Sequence, residues 1–226
     1  MIVNGDHHCN FRQAMTGLPD RSGHMGVSKQ QAVENKRSIV AAAEKLFRER
    51  GVAAVGLTEL TKAAGFTQGG FYNHFKSKDA LVAAVMEKAM EDGAAQLVAG
   101  IQASKAAAAD PMKRHIEWYL SPDHLANIEA GCPLTAFAGD VRRLGKEARQ
   151  SYARGLTWNV DQLAGVIDGE NPQERRKKAI ALFSQMVGSL MLSRAVVEVD
   201  PDLAEEILKD GRQQLLQAIE GCTPGI

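Results

Sequence analysis

The chain has 226 residues, 45% of them hydrophobic and 24% charged, with a formal net charge of zero. That usage excludes a low-complexity or fibrous chain and supplies enough apolar material for a real core. The neutral balance gives no compositional reason to expect nucleic acid, and the cysteines Cys9, Cys132 and Cys222, odd in number and scattered, exclude a disulfide framework or a structural zinc site.

Residues 1–28 mix His, Asn, Gly, Pro and Ser without periodicity and read as a disordered tail; because organised sequence begins only after Met25, that residue is a candidate start of translation beside Met1. The first 26 residues carry no apolar core of the signal-peptide kind, so a cytoplasmic protein is expected. From Met25 to Ala80, nine Lys/Arg stand against five Asp/Glu, a local balance of +4 that the rest of the chain offsets. A basic front on an acidic rear fits a DNA-contacting module on a body of another kind.

From Lys29 onward the pattern is helical. Ile39, Ala43, Leu46 and Phe47 keep the spacing of one apolar helix face, and Gly51 stops it. Thr58 is expected to cap a second helix that Gly65 ends, and Thr67 a short third one. Ser77 caps a long helix with Asp79 in its first turn, and Leu81, Val82, Val85, Met86 and Met90 line its inner side. Pro111, Pro122 and Pro133 mark later starts. Residues 146–167, 174–197 and 202–219 read as three further helices. Strand-like alternation is absent, so the fold class is all-α. The longest apolar run, 179–199, is broken by Ser184, Gln185, Ser189, Ser193, Arg194 and Glu198, and no membrane span is expected.

Two short helices joined by a tight Gly-containing turn and packed on a longer first helix make the helix-turn-helix pattern, here over residues 58–75. Ala63 and Ala64 are small enough for close helix approach. On a helical wheel of about 100° per residue, Phe71 and Phe75 face inward. Asn73 points almost oppositely, and Tyr72 and His74 fall on the flanks. Gln68 and Asn73 can present amides to base edges, and Tyr72 and His74 can reach phosphates. Gly69 and Gly70 let the backbone approach a groove, and Thr58, Thr67 and Lys78 sit at helix starts where a phosphate is favoured. The plainer alternatives are a solvated His74 and a Tyr72 at the rim of the core.

Residues 37–90 resemble the DNA-binding domain of the tetracycline-repressor (TetR) family. The likeness rests on helix 39–50 with Gly51, on Leu57-Thr-Glu-Leu-Thr-Lys-Ala-Ala-Gly65, on Phe71-Tyr72-x-x-Phe75 and on Lys76-Ser-Lys-Asp-Ala-Leu81. It implies a homodimeric repressor that binds double-stranded palindromic operator DNA and is released by a small-molecule effector or a thiol-reactive electrophile. It further implies Tyr72 and Lys78 as phosphate contacts and Gln68, Gly70 and Asn73 as base-facing positions. Gly70 departs from the small hydroxyl residue more usual there. The implied organisation is a tail at 1–28, a DNA-binding domain at 29–80 and a ligand-binding and dimerisation domain at 81–226.

In that last domain, His115, Trp118, Tyr119, Cys132, Phe137, Tyr152, Trp158 and Met186 are candidates for an effector pocket, each with ordinary core as the alternative. Phe183, Val187, Leu190, Met191, Leu208 and Leu215 are candidates for a dimer interface through the last two helices, the alternative being that this stripe packs inside one subunit. Cys132 stands before a helix start, where a thiolate is favoured. With Gly131 and residues 138–141 it also resembles the electrophile-sensing NemR-like branch, the alternative being an inert buried thiol. No cofactor, metal set or catalytic spacing is visible. The competing function is an all-α small-molecule carrier or enzyme with an incidental helix-turn-helix.

Overall fold

The fold is that of a computed structural model and is described for residues 29–220. The tail read at 1–28, the start at Met25 and the cysteines Cys9 and Cys222 lie outside those residues. The described chain is all-α: α1 (Lys29–Arg50), α2 (Leu57–Ala63), α3 (Gln68–Tyr72), α4 (Lys78–Ala106), α5 (Pro111–Tyr119), α6 (Pro122–Ala126), α7 (Pro133–Ala138), α8 (Lys146–Ala164), α9 (Pro172–Val196) and α10 (Pro201–Glu220). A 3-10 turn, Val141–Arg143, links α7 to α8.

The helix starts follow from local chemistry. Side-chain oxygens of Thr67, Ser77, Asp110, Ser121 and Asn171 accept from backbone N–H groups of the first turns of α3, α4, α5, α6 and α9. Proline opens α5, α6, α7 and α9, where its missing N–H costs nothing. Thr58 does not cap α2. That helix begins one residue earlier, with Gly56 at its N-cap and no side-chain cap, and the Thr58 hydroxyl instead accepts from Gln68 Nε2 at 3.0 Å. Gly51 and Gly65 end α1 and α2 with φ of +79° and +75°, a region where a Cβ is disfavoured.

Ile39, Val40, Ala43 and Phe47 of α1 join Leu60 of α2, Phe71 and Phe75 around α3, and Leu81, Val82 and Val85 of α4 in one buried cluster. The expected domain boundary at residue 80 thus falls inside the first turn of α4. This helix, 29 residues and roughly 43 Å long, continues into the second half, where it packs on α5, α7 and α8. Beyond it α8 packs on α9, and α9 on α10. At the α9–α10 crossing Gly211 faces Ser189 so closely that an added Cβ would meet the serine Oγ at 2.6 Å.

The dimer stripe expected from the sequence is largely internal. Phe183, Leu190, Leu208 and Leu215 are buried by their own chain, between α9, α10 and the helices beneath. Met191 of the same stripe is exposed and Val187 half-buried, because α9 is apolar on both sides. Its outer side carries Ile180, Met191 and Leu192, exposed by 45%, 36% and 60%. Gly188 on the same side has open space around it. By length and composition α9 is apolar enough to cross a membrane, contrary to the expectation from its polar interruptions, with a mean hydropathy of 1.4 over its best stretch. Only 28% of that stretch is buried in the chain.

Candidate nucleic-acid interface and ligand cavity

The first site is the outer surface of α2 and α3. Phe71 and Phe75 stack 5.7 Å apart and are almost fully buried, so α3 is held by two aromatic anchors. What they turn outward is Thr67, Gln68, Gly69, Tyr72 and Asn73, all exposed, joined by exposed Thr58 through its bond to Gln68. Tyr72 is 57% exposed and leans edge-on against Phe71. His74 is half-buried, edge-on to Phe66 at 5.9 Å. Gly69 has nothing near the position a Cβ would take. Gly70 is different: its N–H donates to Thr67 Oγ1 at 3.1 Å, and a Cβ would press that oxygen at 3.3 Å.

Lys78 is not placed as the sequence led one to expect. Its Nζ donates to the carbonyls of Val52 and Val55, at 2.7 and 2.6 Å, and lies 5.9 Å from the Phe47 ring centre. The ammonium is therefore spent inside the protein, on the loop between α1 and α2. Its backbone N–H lies in the first turn of α4, where an anion is favoured.

The second site is a cavity of about 470 Å³ between α4, α5, α7 and α8. Of the eight residues proposed from sequence, His115, Trp118, Tyr119, Cys132 and Trp158 line it. Phe137, Tyr152 and Met186 do not. Phe137 is buried under the Arg48 guanidinium, 5.6 Å from the ring centre, and Met186 lies in the core face of α9. Tyr152 donates from its hydroxyl to Leu134 O at 2.7 Å and so braces α7 from behind. Burial pushes its phenol up to about 12. Sequence reading missed Asn159, Arg114, Gly100 and the α4 residues of the wall. Only the aromatic residues stood out one by one, whereas a cavity is a property of the packing of four helices.

A buried network fixes the α5–α7 wall. His124 Nε2 accepts from Cys132 N–H at 3.0 Å and its Nδ1 donates to Tyr119 O at 2.7 Å. This pattern requires a neutral ring with the proton on Nδ1, and burial, against a raising contribution from that Tyr119 bond, lowers its pKa to about 4. Tyr119 shares a hydrogen bond with the Thr135 hydroxyl, and burial drives its phenol well above the ordinary range. Arg194 of α9 donates to the carbonyls of His124, Leu125 and Asn127, closing the end of α6. Burial and then the neighbouring His124 lower the pKa of His115 to about 4 as well.

The two sites meet through α7. Cys132, Pro133 and Leu134 at its start are cavity wall. Gly131 O, just before it, accepts from Arg48 Nη1 of α1 at 3.0 Å. Asp140 Oδ2, just after it, accepts from Val52 N–H at 3.0 Å. Arg48 is itself buried against Glu44 at 2.9 Å, and Glu44 also takes Lys88 of α4 at 3.3 Å. Pro133 rests on Gly93 of α4 so closely that a Cβ there would come within 2.6 Å of it.

Residues 39–85 match the family model described as bacterial regulatory proteins, tetR family. The HTH-type transcriptional regulator AcrR of Shigella flexneri is 42% identical over 60 residues, 26% of this chain and 28% of that protein, so the first relatives are matched over less than a third of their length. The HTH-type transcriptional repressor BepR of Brucella suis is 28% identical over 194 residues, covering 86% of this chain and 80% of that one. The repressor NemR of Escherichia coli is 24% identical over 142 residues, 63% and 71% of the two chains. Its reduced form superimposes with a TM-score of 0.66 at 20% identity over 82% of this chain and 97% of that one. A TetR regulator from Legionella pneumophila gives 0.66 at 24% identity, covering 81% and 96%. At such identities the structural likeness speaks for the fold.

Proposed function

Given that the chain carries the helix-turn-helix domain of the tetR family of bacterial regulatory proteins, we propose that it is a transcriptional repressor that binds a palindromic operator as a homodimer and lets go when a small molecule fills its cavity. The observation that carries this reading is the pairing of two features on one framework. An exposed polar α3 surface sits on a buried aromatic anchor, and a cavity of about 470 Å³ is tied through the two ends of α7 to α1 and the loop after it. Neither a carrier nor an enzyme has a use for the first feature, and the matched relatives are named regulators and repressors.

Roles follow from exposure. Gln68 and Asn73 read base edges, Tyr72 and Thr58 grip the backbone, and open Gly69 allows close approach. Filling the cavity presses on Cys132 and Pro133. Because α7 is pinned to Gly93 behind, the displacement passes to Arg48 and Val52 and so to the set of α1 and α3. Cys132 gives a second way in, since an electrophile that enters the cavity meets its sulfur in the wall.

The test is a fluorescence-anisotropy titration of the full chain with palindromes from its own upstream region, at stated salt. Affinity at least a thousandfold above that for random DNA is expected, and equal affinity for both would end the repressor reading. In the same assay Cys132→Ser should keep operator binding and lose release by a quinone; unchanged release would discard the electrophile route.

A further inference from the structure

The charge around the cavity is one-sided. Among the described residues lining it there is no aspartate, glutamate or lysine, and Arg114 is the one arginine. His115 adds no charge near neutrality, because burial and then His124 lower its pKa to about 4. Pro111, Arg114, His115 and Trp118 all line the cavity and keep the three- and four-residue spacing of one face of α5. Of these four, Arg114 and Trp118 are exposed, so they stand at the rim, where the cavity meets water. Trp118 is held there by ring contacts, stacking on His124 at 4.5 Å and on His115 at 5.8 Å. No ion pair or hydrogen bond to another described residue engages the Arg114 guanidinium. The carboxylates one turn away on α5 serve elsewhere. Asp110 accepts from the backbone N–H groups of Met112 and Lys113, and Glu117 is not part of the wall.

Resting on the reading of this cavity as the effector site, we propose that its ligand class is the aromatic carboxylate, with the rings inside and the carboxylate at the rim on Arg114. Leu97, Ile101, Leu134 and Trp158 give the rings an apolar wall. A carboxylate carried deep into that wall would lose its water without compensation. At the rim it keeps water on one side and gains the parallel N–H donors of a guanidinium on the other. A neutral ring compound makes the same apolar contacts and gains nothing from Arg114. A cation is disfavoured, because the pull of the tryptophan rings is opposed by Arg114 and no carboxylate in the wall replaces lost water. The volume of about 470 Å³ suits a molecule of about two rings.

Calorimetric titration of the full chain without DNA tests this with three probes on one ring system: biphenyl-4-carboxylate, its neutral carboxamide and biphenyl-4-ylmethylammonium. The carboxylate should bind about fivefold tighter than the amide at low salt, and the cation weakest. Added salt should erode the carboxylate's advantage and leave the amide's affinity unchanged. The chain has two tryptophans, and both line the cavity, so a change in intrinsic fluorescence on binding reports from this site. Arg114 is exposed and outside the core, so its variants should keep the fold, which circular dichroism checks. Arg114→Gln should lower the carboxylate to the amide's affinity without moving the amide's, and Arg114→Glu should place the cation above the carboxylate. Equal binding of carboxylate and amide by the parent chain, or no binding of the carboxylate, would overturn the proposal. So would a carboxylate preference that survives Arg114→Gln, a cation bound as tightly as the carboxylate, or binding that leaves the tryptophan emission unchanged. Operator release is read separately. Carboxylate selection without release sinks the effector reading alone, and release by another compound without carboxylate selection sinks the ligand class alone.

Discussion

Lys78 shows how one side chain can carry two readings with the same phenotype. A lysine at the start of α4 beside the recognition surface reads as a phosphate contact, yet its ammonium is committed to the carbonyls of Val52 and Val55. Removing it leaves two acceptors without a charged donor in a half-buried loop, a loss of about 1–3 kcal/mol. Lys78→Met should therefore lower the thermal midpoint of the free protein as well as weakening binding to every DNA sequence. A surface phosphate contact would behave differently. Its loss would leave the midpoint unchanged and lower the slope of log affinity against log salt by about one. If the slope falls and the midpoint holds, Lys78 reaches DNA and the loop contacts are incidental. Asn73 and Phe71 were readable from sequence because a single helix wheel separates them. Lys78 was not, because its partners lie more than twenty residues back along the chain.

Among the elements, α7 is the one through which the proposed control of binding would run. It has six residues, too few to hold itself as a helix, and it stays in place through its neighbours. The proline signal placed its start correctly at Pro133. What they could not supply is that Gly131 and Asp140, at its two ends, are attached to α1 and the loop after it. Helix starts are local events and therefore legible; attachments between distant elements depend on the assembled packing. Gly51 belongs to the same junction, since a Cβ there would meet Asp140 Oδ2 at 3.2 Å in a backbone conformation already unfavourable to one. The coupling claim is tested by Asp140→Asn, which preserves shape but weakens the hold on Val52 N–H. Operator affinity without effector should change less than threefold. The ratio of operator affinities without and with a releasing compound, worth 1–3 kcal/mol of coupling in such systems, should fall about tenfold while the compound still binds. An unchanged ratio would mean that the signal reaches α3 by another route, such as α4.

For the whole molecule the open question is what covers α9. The internal stripe, Ala179, Phe183, Met186 and Leu190, is spent inside the chain, which is why a dimer face chosen from hydrophobic period alone mixed buried Phe183 and Leu190 with exposed Met191. Ile180, Ser184, Gly188, Met191 and Ala195 recur three or four residues apart on the opposite side. Exposed Leu192 and Leu203 lie close to that stripe in sequence. An apolar band of this kind, with a glycine at its middle, allows two copies of α9 to approach closely across a two-fold axis. A palindromic operator also demands two recognition helices in fixed relation, about one helical turn of DNA apart. On the proposed dimer reading, the same surface would serve both solubility and DNA geometry. Placing a charge there, as in Met191→Lys, leaves the protomer core untouched but puts two lysines against each other across the axis. The variant should keep its helical circular dichroism and its thermal unfolding at low concentration. It should elute at the monomer mass of about 24 kDa in light scattering, and the parent should elute at twice that. Operator affinity should fall at least a hundredfold, toward the value for a single half-site. A variant that stays dimeric with full operator affinity would place the interface elsewhere, and α9 would then need a different partner for its outer face.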